Sequence, residues 1–438
     1  MKTSFVWHPN TQMSEWDTFT QIKSGKGMWL TDSKGNKMID AVGSMWCNVW
    51  GHSNPELVNA IRSQSKKLQH SSMFNLTNEP AEKLAASLIR ISPGMNRVFY
   101  SDNGSSAMEI SIKIALQYWK NKGEKKTEIA TVENGYHGDT FGAMSVGYVP
   151  EFFSKFKKQL FATIQFPVPN KYRVPKGFTF SDYQEHCLEK IEKRISEDNN
   201  IAAFVMESGA QVAGGVIIYP KGFQRKISQL CKKHGVLLVL DEIATGFGRM
   251  GSMVQYEEQK SIPDIVAYGK MLTGGYLTMA ATLTSKKIYD SFLGEFNDWR
   301  HLFHGHTYTG NPIAAAVANK NIEMYQKNHL IKRIQKTAKT FEKHYMQISD
   351  MDIVGDIRHS GMLMGIELVS NKAKKTPIQS KKSINKIFFE EGKKNGIYLR
   401  TLGNIVMLVP PLAISEKDLD LLLKKTIETI QAARHHFV

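Results

Sequence analysis

Asp241 and Lys270 are a carboxylate and a primary amine carried by two short apolar runs, and a cofactor that needs one charge of each sign could be held and run between them. Asp241 ends Val236-Leu-Leu-Val-Leu-Asp, whose five consecutive aliphatic residues have the pattern of a strand buried on both faces. The carboxylate would then sit at the C-terminal end of a core strand, where open α/β sheets place their ligands. An ionised carboxylate is costly there unless a cation meets it. Ile265 to Ala267 reads as a second short strand, and Lys270 follows it, just before Gly274 and Gly275. The separation suits a loop-and-crossover unit joining neighbouring strands, so the two charges could face one site. They would be either a simple ion pair or a couple in which the lysine is nucleophile and proton carrier.

Three further stretches put polar groups at strand ends. Val98 to Tyr100 is β-prone, and Met108, Ile112, Ile114, Ala115 and Trp119 then recur at helical spacing. Asn103, Gly104 and Ser105 fall at the N-terminus of that helix, where free amides and the helix dipole attract an anion, or where Asn103 simply caps it. Ile129 to Val132 leads into Glu133-Asn-Gly-Tyr-His-Gly-Asp, a glycine-flanked loop with Tyr136 and His137 on which a planar ring could stack. Ile201 to Met206 reads as another buried strand, followed by Glu207 and Gln211.

The runs Asp241-Glu-Ile-Ala-Thr-Gly-Phe-Gly-Arg-Met-Gly251 and Gly269-Lys-Met-Leu-Thr-Gly-Gly275 resemble the signature of the class III (ω-type) aminotransferases, which use pyridoxal 5′-phosphate. The resemblance covers nearly the whole chain. It implies an α/β protein of the type I pyridoxal-phosphate transferase fold, aspartate aminotransferase-like, with a large domain on a mostly parallel seven-stranded sheet and a small α+β domain. It implies that Asp241 pairs with the pyridinium nitrogen, that Lys270 forms the Schiff base, and that Asn103, Gly104 and Ser105 take the phosphate. Tyr136 is the ring-stacking residue, with His137 beside it. Thr307 is expected to reach the phosphate of the neighbouring subunit, so that the active unit is a two-fold homodimer. Desolvated next to a cationic ring, Lys270 should titrate below the usual lysine value of about 10.4 and serve as a base.

Trp7-His-Pro, Gly135 to Val146, His304-Gly-His-Thr and Tyr398-Leu-Arg together are similar to one branch of that family, the 7,8-diaminononanoate synthases of biotin synthesis. The branch implies ping-pong amination of 8-amino-7-oxononanoate, an apolar chain ending in a carboxylate. Trp46, Gly305 and Arg400 match its substrate positions, with an apolar wall and a cation as the chemistry requires. The implied donor is S-adenosylmethionine, or lysine as in one subgroup, which the run His304 to Asn311 resembles. Met45 stands where the branch pairs a second tryptophan with Trp46, Asn10 where it carries an aromatic, and Ser208 where relatives have a proline.

The elements that must position these residues divide the chain into three: an N-terminal segment, 1–60, with a hairpin turned around Asp32 to Asn36; a large cofactor-binding domain, 61–323; and a small α+β domain, 324–438. Residues 150 to 200 read as irregular and then helical, Pro312 opens an alanine-rich helix, and Ile397 to Arg400 reads as one of the short strands of the last domain. A chain of 438 residues with 42% hydrophobic and 22% charged content is an ordinary globular composition. The net charge of +16 is spread in short lysine runs without a nucleic-acid motif, which favours a solvated basic surface over a nucleic-acid-binding protein. Cys47, Cys187 and Cys231 form no CxxC pair and no zinc spacing, so neither a disulfide framework nor a metal is expected. The start, Met-Lys-Thr-Ser-Phe-Val-Trp, has no apolar leader core and no later run is of membrane-span length; the expected location is the cytoplasm. The remaining alternative within the family is a general ω-amine:pyruvate aminotransferase.

Overall fold

The structure, a computed structural model, describes residues 4–437; Met1 to Thr3, part of the start read for an apolar leader core, and Val438 lie outside the described residues. The hairpin is a three-stranded meander of β1 (Ile22–Lys26), β2 (Trp29–Asp32) and β3 (Lys37–Asp40). Asp32 turns it, its Oδ1 accepting the amides of Lys34 and Asn36 at 2.9 and 2.8 Å.

The centre is a seven-stranded sheet. Its strands are β4 (Arg97–Ser101), β5 (Glu128–Val132), β6 (Ile164–Phe166), β7 (Ile201–Glu207) and, after the small hairpin β8 (Ala210–Gln211) and β9 (Ile217–Ile218), β10 (Leu237–Asp241), β11 (Ile265–Tyr268) and β12 (Ala280–Thr284). The order is β4-β12-β11-β10-β7-β5-β6, and β12 is antiparallel to both of its neighbours while the other pairs are parallel. The aliphatic runs are continuous because both faces are covered. Leu237 and Val239 of β10 and Ala203 and Val205 of β7 pack under the helix Gly104–Asn121, through Ala107, Ile110 and Ile114. The alternate residues Leu238, Leu240, Phe204 and Met206 face the opposite core, with Ile191, Ile227 and Ala315 from the helices Phe180–Glu197, Phe223–Lys233 and Pro312–Lys327.

The C-terminal region builds β13 (Val354–Ser360), β14 (Leu363–Asn371), β15 (Thr376–Pro377), β16 (Ile397–Tyr398), β17 (Arg400–Leu402) and β18 (Ile405–Leu408), with sheet order β13-β14-β18-β17 and β15 on the edge of β14. Two details differ from the sequence reading. The irregular stretch after residue 150 includes β6, three residues that add an edge to the parallel sheet beside β5, too short to show periodicity. The run from Ile397 to Arg400 is not one strand: β16 pairs in parallel with β3, while Arg400 opens β17 against β18. Sequence alternation cannot reveal that one extended run serves two sheets. Among the described residues, no helix is long and apolar enough to cross a membrane.

Candidate active site

Strand register sets the site. β10 lies between β7 and β11, with Asp241 level with Glu207 on one side and with Ala267 on the other. Both carboxylates therefore emerge at the same edge of the sheet. Asp241 is buried, and its Oδ1 accepts the amide of Ile243 at 2.8 Å while its Oδ2 lies 2.7 Å from Nδ1 of buried His137. With His137 Nδ1 as donor, each carboxylate oxygen keeps lone-pair capacity for a further partner.

Lys270 follows β11 after Gly269 and opens the short turn Lys270–Thr273. Its φ of 42° is left-handed, a conformation that costs a non-glycine residue roughly 1–3 kcal/mol and persists where surrounding contacts enforce it. Here Asn321, on the helix Pro312–Lys327, donates to the carbonyls of Met271 and Leu272 at 2.8 and 3.0 Å and pins the turn. Lys270 Nζ makes no hydrogen bond among the described residues and lies 5.0 Å from the centroid of the Trp46 ring, within cation–π range. Burial pushes the lysine's pKa below its ordinary value, against the opposing charges of Asp241 and Glu207.

The loop after β5 brings the aromatic residues. Tyr136 is half-buried, its hydroxyl 3.1 Å from Asp139 Oδ1, and its amide donates to Glu207 Oε1 at 3.2 Å. Glu207 Oε2 accepts the amide of Val212 at 2.9 Å, so this carboxyl ties the Tyr136 loop to the hairpin that follows β7. Burial, with Asp241 adding to it, pushes the Glu207 carboxyl up to about 7. Gly138 has φ 124°, and a Cβ there would overlap Ser105 Oγ, so glycine is required for the close approach of this loop to the next one. Ser105 Oγ accepts the Asp139 amide at 3.2 Å. Asn103 caps the helix Gly104–Asn121 by accepting the Ser106 amide at 3.0 Å, and among the described residues the amides of Gly104 and Ser105 have no acceptor.

These groups surround a cavity of about 210 Å³, lined by Trp46, Asn103 to Ser105, Tyr136 to Gly138, Glu207, Asp241 and Lys270, with Ala213, Ile243 and Ala244 completing it. It is smaller than the roughly 300–1,000 Å³ typical of drug-sized ligands and suits a single small ring. Two buried nitrogens, Trp46 Nε1 and His137 Nε2, have no partner among the described residues. A flat aromatic aldehyde with a phosphate fits this donor set: free helix amides for the anion, a ring-facing aromatic, a carboxylate and an unpaired amine. Pyridoxal 5′-phosphate has that chemistry.

Eight of the residues given a role at the site from the sequence, Trp46, Asn103, Gly104, Ser105, Tyr136, His137, Asp241 and Lys270, thus meet in one cavity, together with Glu207. Three do not. Arg400 is half-buried at the start of β17, with Nη1 2.9 Å from Met45 Sδ, outside the cavity wall. Gly305 lines a separate cleft of about 790 Å³ with Phe74 and Tyr100. Thr307 is exposed, and its carbonyl is 2.7 Å from His70 Nε2. Gln211 donates to the carbonyl of Glu133 at 2.6 Å instead of lining the cavity. Gly138, Ala213, Ile243 and Ala244 line the cavity without a chemical signal of their own in the sequence. All but Ala213 lie inside the runs that carry Tyr136 and Asp241, and Ala213 has no signal beyond its place after Glu207.

The chain matches the class-III aminotransferase family over residues 11–430. It is 42% identical to the adenosylmethionine-8-amino-7-oxononanoate aminotransferase of Staphylococcus aureus over 98% of this chain and 96% of that protein. It is 39% identical to the solved enzyme of the same name from Methanocaldococcus jannaschii, with a TM-score of 0.91 over 98% of this chain and 97% of that one. An amine transaminase from an uncultivated Pseudomonas species, solved in its pyridoxal-phosphate-bound form, superposes with a TM-score of 0.93 at 29% identity, over 98% of this chain and 99% of that one. The chain belongs to the class III aminotransferases, pyridoxal-phosphate-dependent transaminases.

Proposed function

We propose that this protein aminates 8-amino-7-oxononanoate to 7,8-diaminononanoate in biotin synthesis, by a ping-pong reaction with S-adenosylmethionine or lysine as donor. The observation that carries the reading is the 36–42% identity, over nearly the full length, to aminotransferases named for that substrate. Solved ω- and amine transaminases superpose as well but are only 26–29% identical, which favours the biotin reaction over a general ω-amine:pyruvate exchange.

Bound pyridoxal 5′-phosphate supplies an electron sink for the carbanion left when a proton is taken from the carbon bearing the amine. In this proposal Gly104 and Ser105 hold the phosphate by their amides, with Asn103 fixing the helix end, and Tyr136 stacks on the ring. Asp241 holds the proton of the ring nitrogen, oriented by His137. Lys270 Nζ would be the covalent tether, and its burial favours the neutral amine that could take up a proton and return it. Trp46 and Arg400 would take the apolar chain and the carboxylate of the substrate. Thr307 and Gly305, both outside this chain's own cavity, are assigned to a site shared across a two-fold homodimer. The reading also keeps 1–60, 61–323 and 324–438 as units, the first joined to the last through β3 and β16, and places the protein in the cytoplasm without nucleic-acid or membrane partners.

The test is the visible absorption of the purified protein with added pyridoxal phosphate, titrated separately with S-adenosylmethionine and with lysine. Loss of the cofactor band with one donor, followed by its return with 8-amino-7-oxononanoate, is the expected result and names the donor. Band loss with simple amines, and return with pyruvate but not with 8-amino-7-oxononanoate, would move the assignment to the general aminotransferase. Failure to bind the cofactor, with tight and salt-sensitive nucleic-acid binding, would replace both.

A further inference from the structure

We infer that Asp40, backed by His52, is a positioning residue of the active site: its carboxylate holds the turn Gly43–Cys47 in the left-handed form that lays Trp46 over Lys270. This rests on the reading of the Lys270 cavity as the cofactor site.

Gly43, Ser44 and Trp46 have φ of 54°, 61° and 66°. Ser44 and Trp46 carry side chains that disfavour this region, so the turn has no local preference to sustain it and must be imposed by its surroundings. Asp40, the fully buried last residue of β3, supplies that constraint. Its Oδ1 accepts the amide of Val42 at 3.2 Å and its Oδ2 accepts the amide of Ser44 at 2.7 Å. The same Oδ2 lies 3.0 Å from Nε2 of His52, so that with Nε2 as donor the buried carboxylate has a third hydrogen-bond partner. His52 is itself fixed to the hairpin by a two-way backbone pairing with Gly27, at 2.7 and 3.0 Å.

The turn is enclosed on its other sides. A Cβ at Gly43 would stand 2.7 Å from the carbonyl of Val409, and the Val409 amide donates to Ala41 at 2.8 Å. Beyond Trp46, the Val49 amide donates to the carbonyl of Gly274, in the turn that Lys270 opens, at 3.3 Å. Trp46 is 4% exposed and lines the cavity, its ring centroid 5.0 Å from Lys270 Nζ. Asp40 reaches neither the cavity nor Lys270, and acts through the turn.

The experiment compares wild type, Asp40→Asn, His52→Gln, Trp46→Ala and Asp40→Asn/Trp46→Ala, all loaded with pyridoxal phosphate. An amide at position 40 keeps one acceptor oxygen and turns an NH2 toward donors. Asp40→Asn should therefore keep the visible cofactor band but lose the part of the tryptophan-fluorescence quenching that Trp46→Ala also loses. It should raise KM for the amino acceptor on the order of tenfold to a hundredfold with a smaller change in kcat, as for a displaced positioning group. The double variant should be no worse than Trp46→Ala alone, because Asp40 acts through that ring. His52→Gln should shift quenching and KM in the same direction by less. Wild-type quenching and KM in Asp40→Asn, or effects that add to those of Trp46→Ala, would overturn the inference; if Asp40→Asn does not fold, unchanged quenching and KM in His52→Gln overturn it. A wild type that forms no cofactor band refutes the cofactor reading and takes this inference with it, whereas a normal wild-type band beside an unaltered Asp40→Asn refutes this inference alone.

Discussion

Glu207 should make the protein less stable as pH rises, and replacing it with glutamine should remove that loss. Its carboxyl is 3% exposed and is pushed from the usual 4.5 up to about 7, chiefly by burial, with neighbouring Asp241 adding to it. Because the folded state holds the proton more tightly than the unfolded chain, the linked stabilisation is fully present below about pH 4.5 and is lost as pH rises to about 7. At 1.36 kcal/mol per unit, the shift corresponds to roughly 3 kcal/mol across that window. Glu207→Gln also disturbs the bonds from the Tyr136 and Val212 amides, but that cost is independent of pH and appears as an offset rather than a slope. Thermal melts of the cofactor-free protein and the variant, taken from pH 4.5 to 8, give the difference curve directly. The variant should gain on the wild type by several degrees in Tm between the two ends. Parallel curves would refute the reasoning, since Glu207 would then titrate alike in the folded and unfolded chains.

Glu242, fully buried and also pushed up to about 7 by burial, should behave the same way, so that Glu242→Gln flattens the same window in the same melts. Lys270→Ala is expected to abolish turnover and the covalent cofactor band; a variant with normal turnover would end the assignment of Lys270. Asp241→Asn removes the carboxylate proposed to face the ring nitrogen and should lower kcat/KM by roughly a hundredfold to a thousandfold, with the fold retained by circular dichroism. Gly138→Ala would put a methyl group onto Ser105 Oγ at a left-handed position, and should weaken cofactor binding on the order of tenfold or more in an absorbance titration.

Where the physics is local, the order of residues was enough. Val236 to Leu240 had to be a strand covered on both faces, the apolar spacing from Met108 to Trp119 had to be a helix, and Asn103 had to cap it. Those local rules, with the class III resemblance, were enough to name eight residues that meet in one cavity. Other features depend on register and close approach. Glu207 becomes a constituent of the cavity because parallel pairing sets it level with Asp241, and its oxygens then catch amides from two loops. The split of Ile397 to Arg400 between two sheets, and the packing of the Gly43–Cys47 turn against Val409, join residues far apart in the chain. Arg400, Gly305 and Thr307 carry family positions in the sequence but lie outside this chain's cavity. Spacing along the chain reports strand and helix periods because those repeat locally; which strand ends become neighbours is fixed only when the sheet is assembled and its register is set by packing.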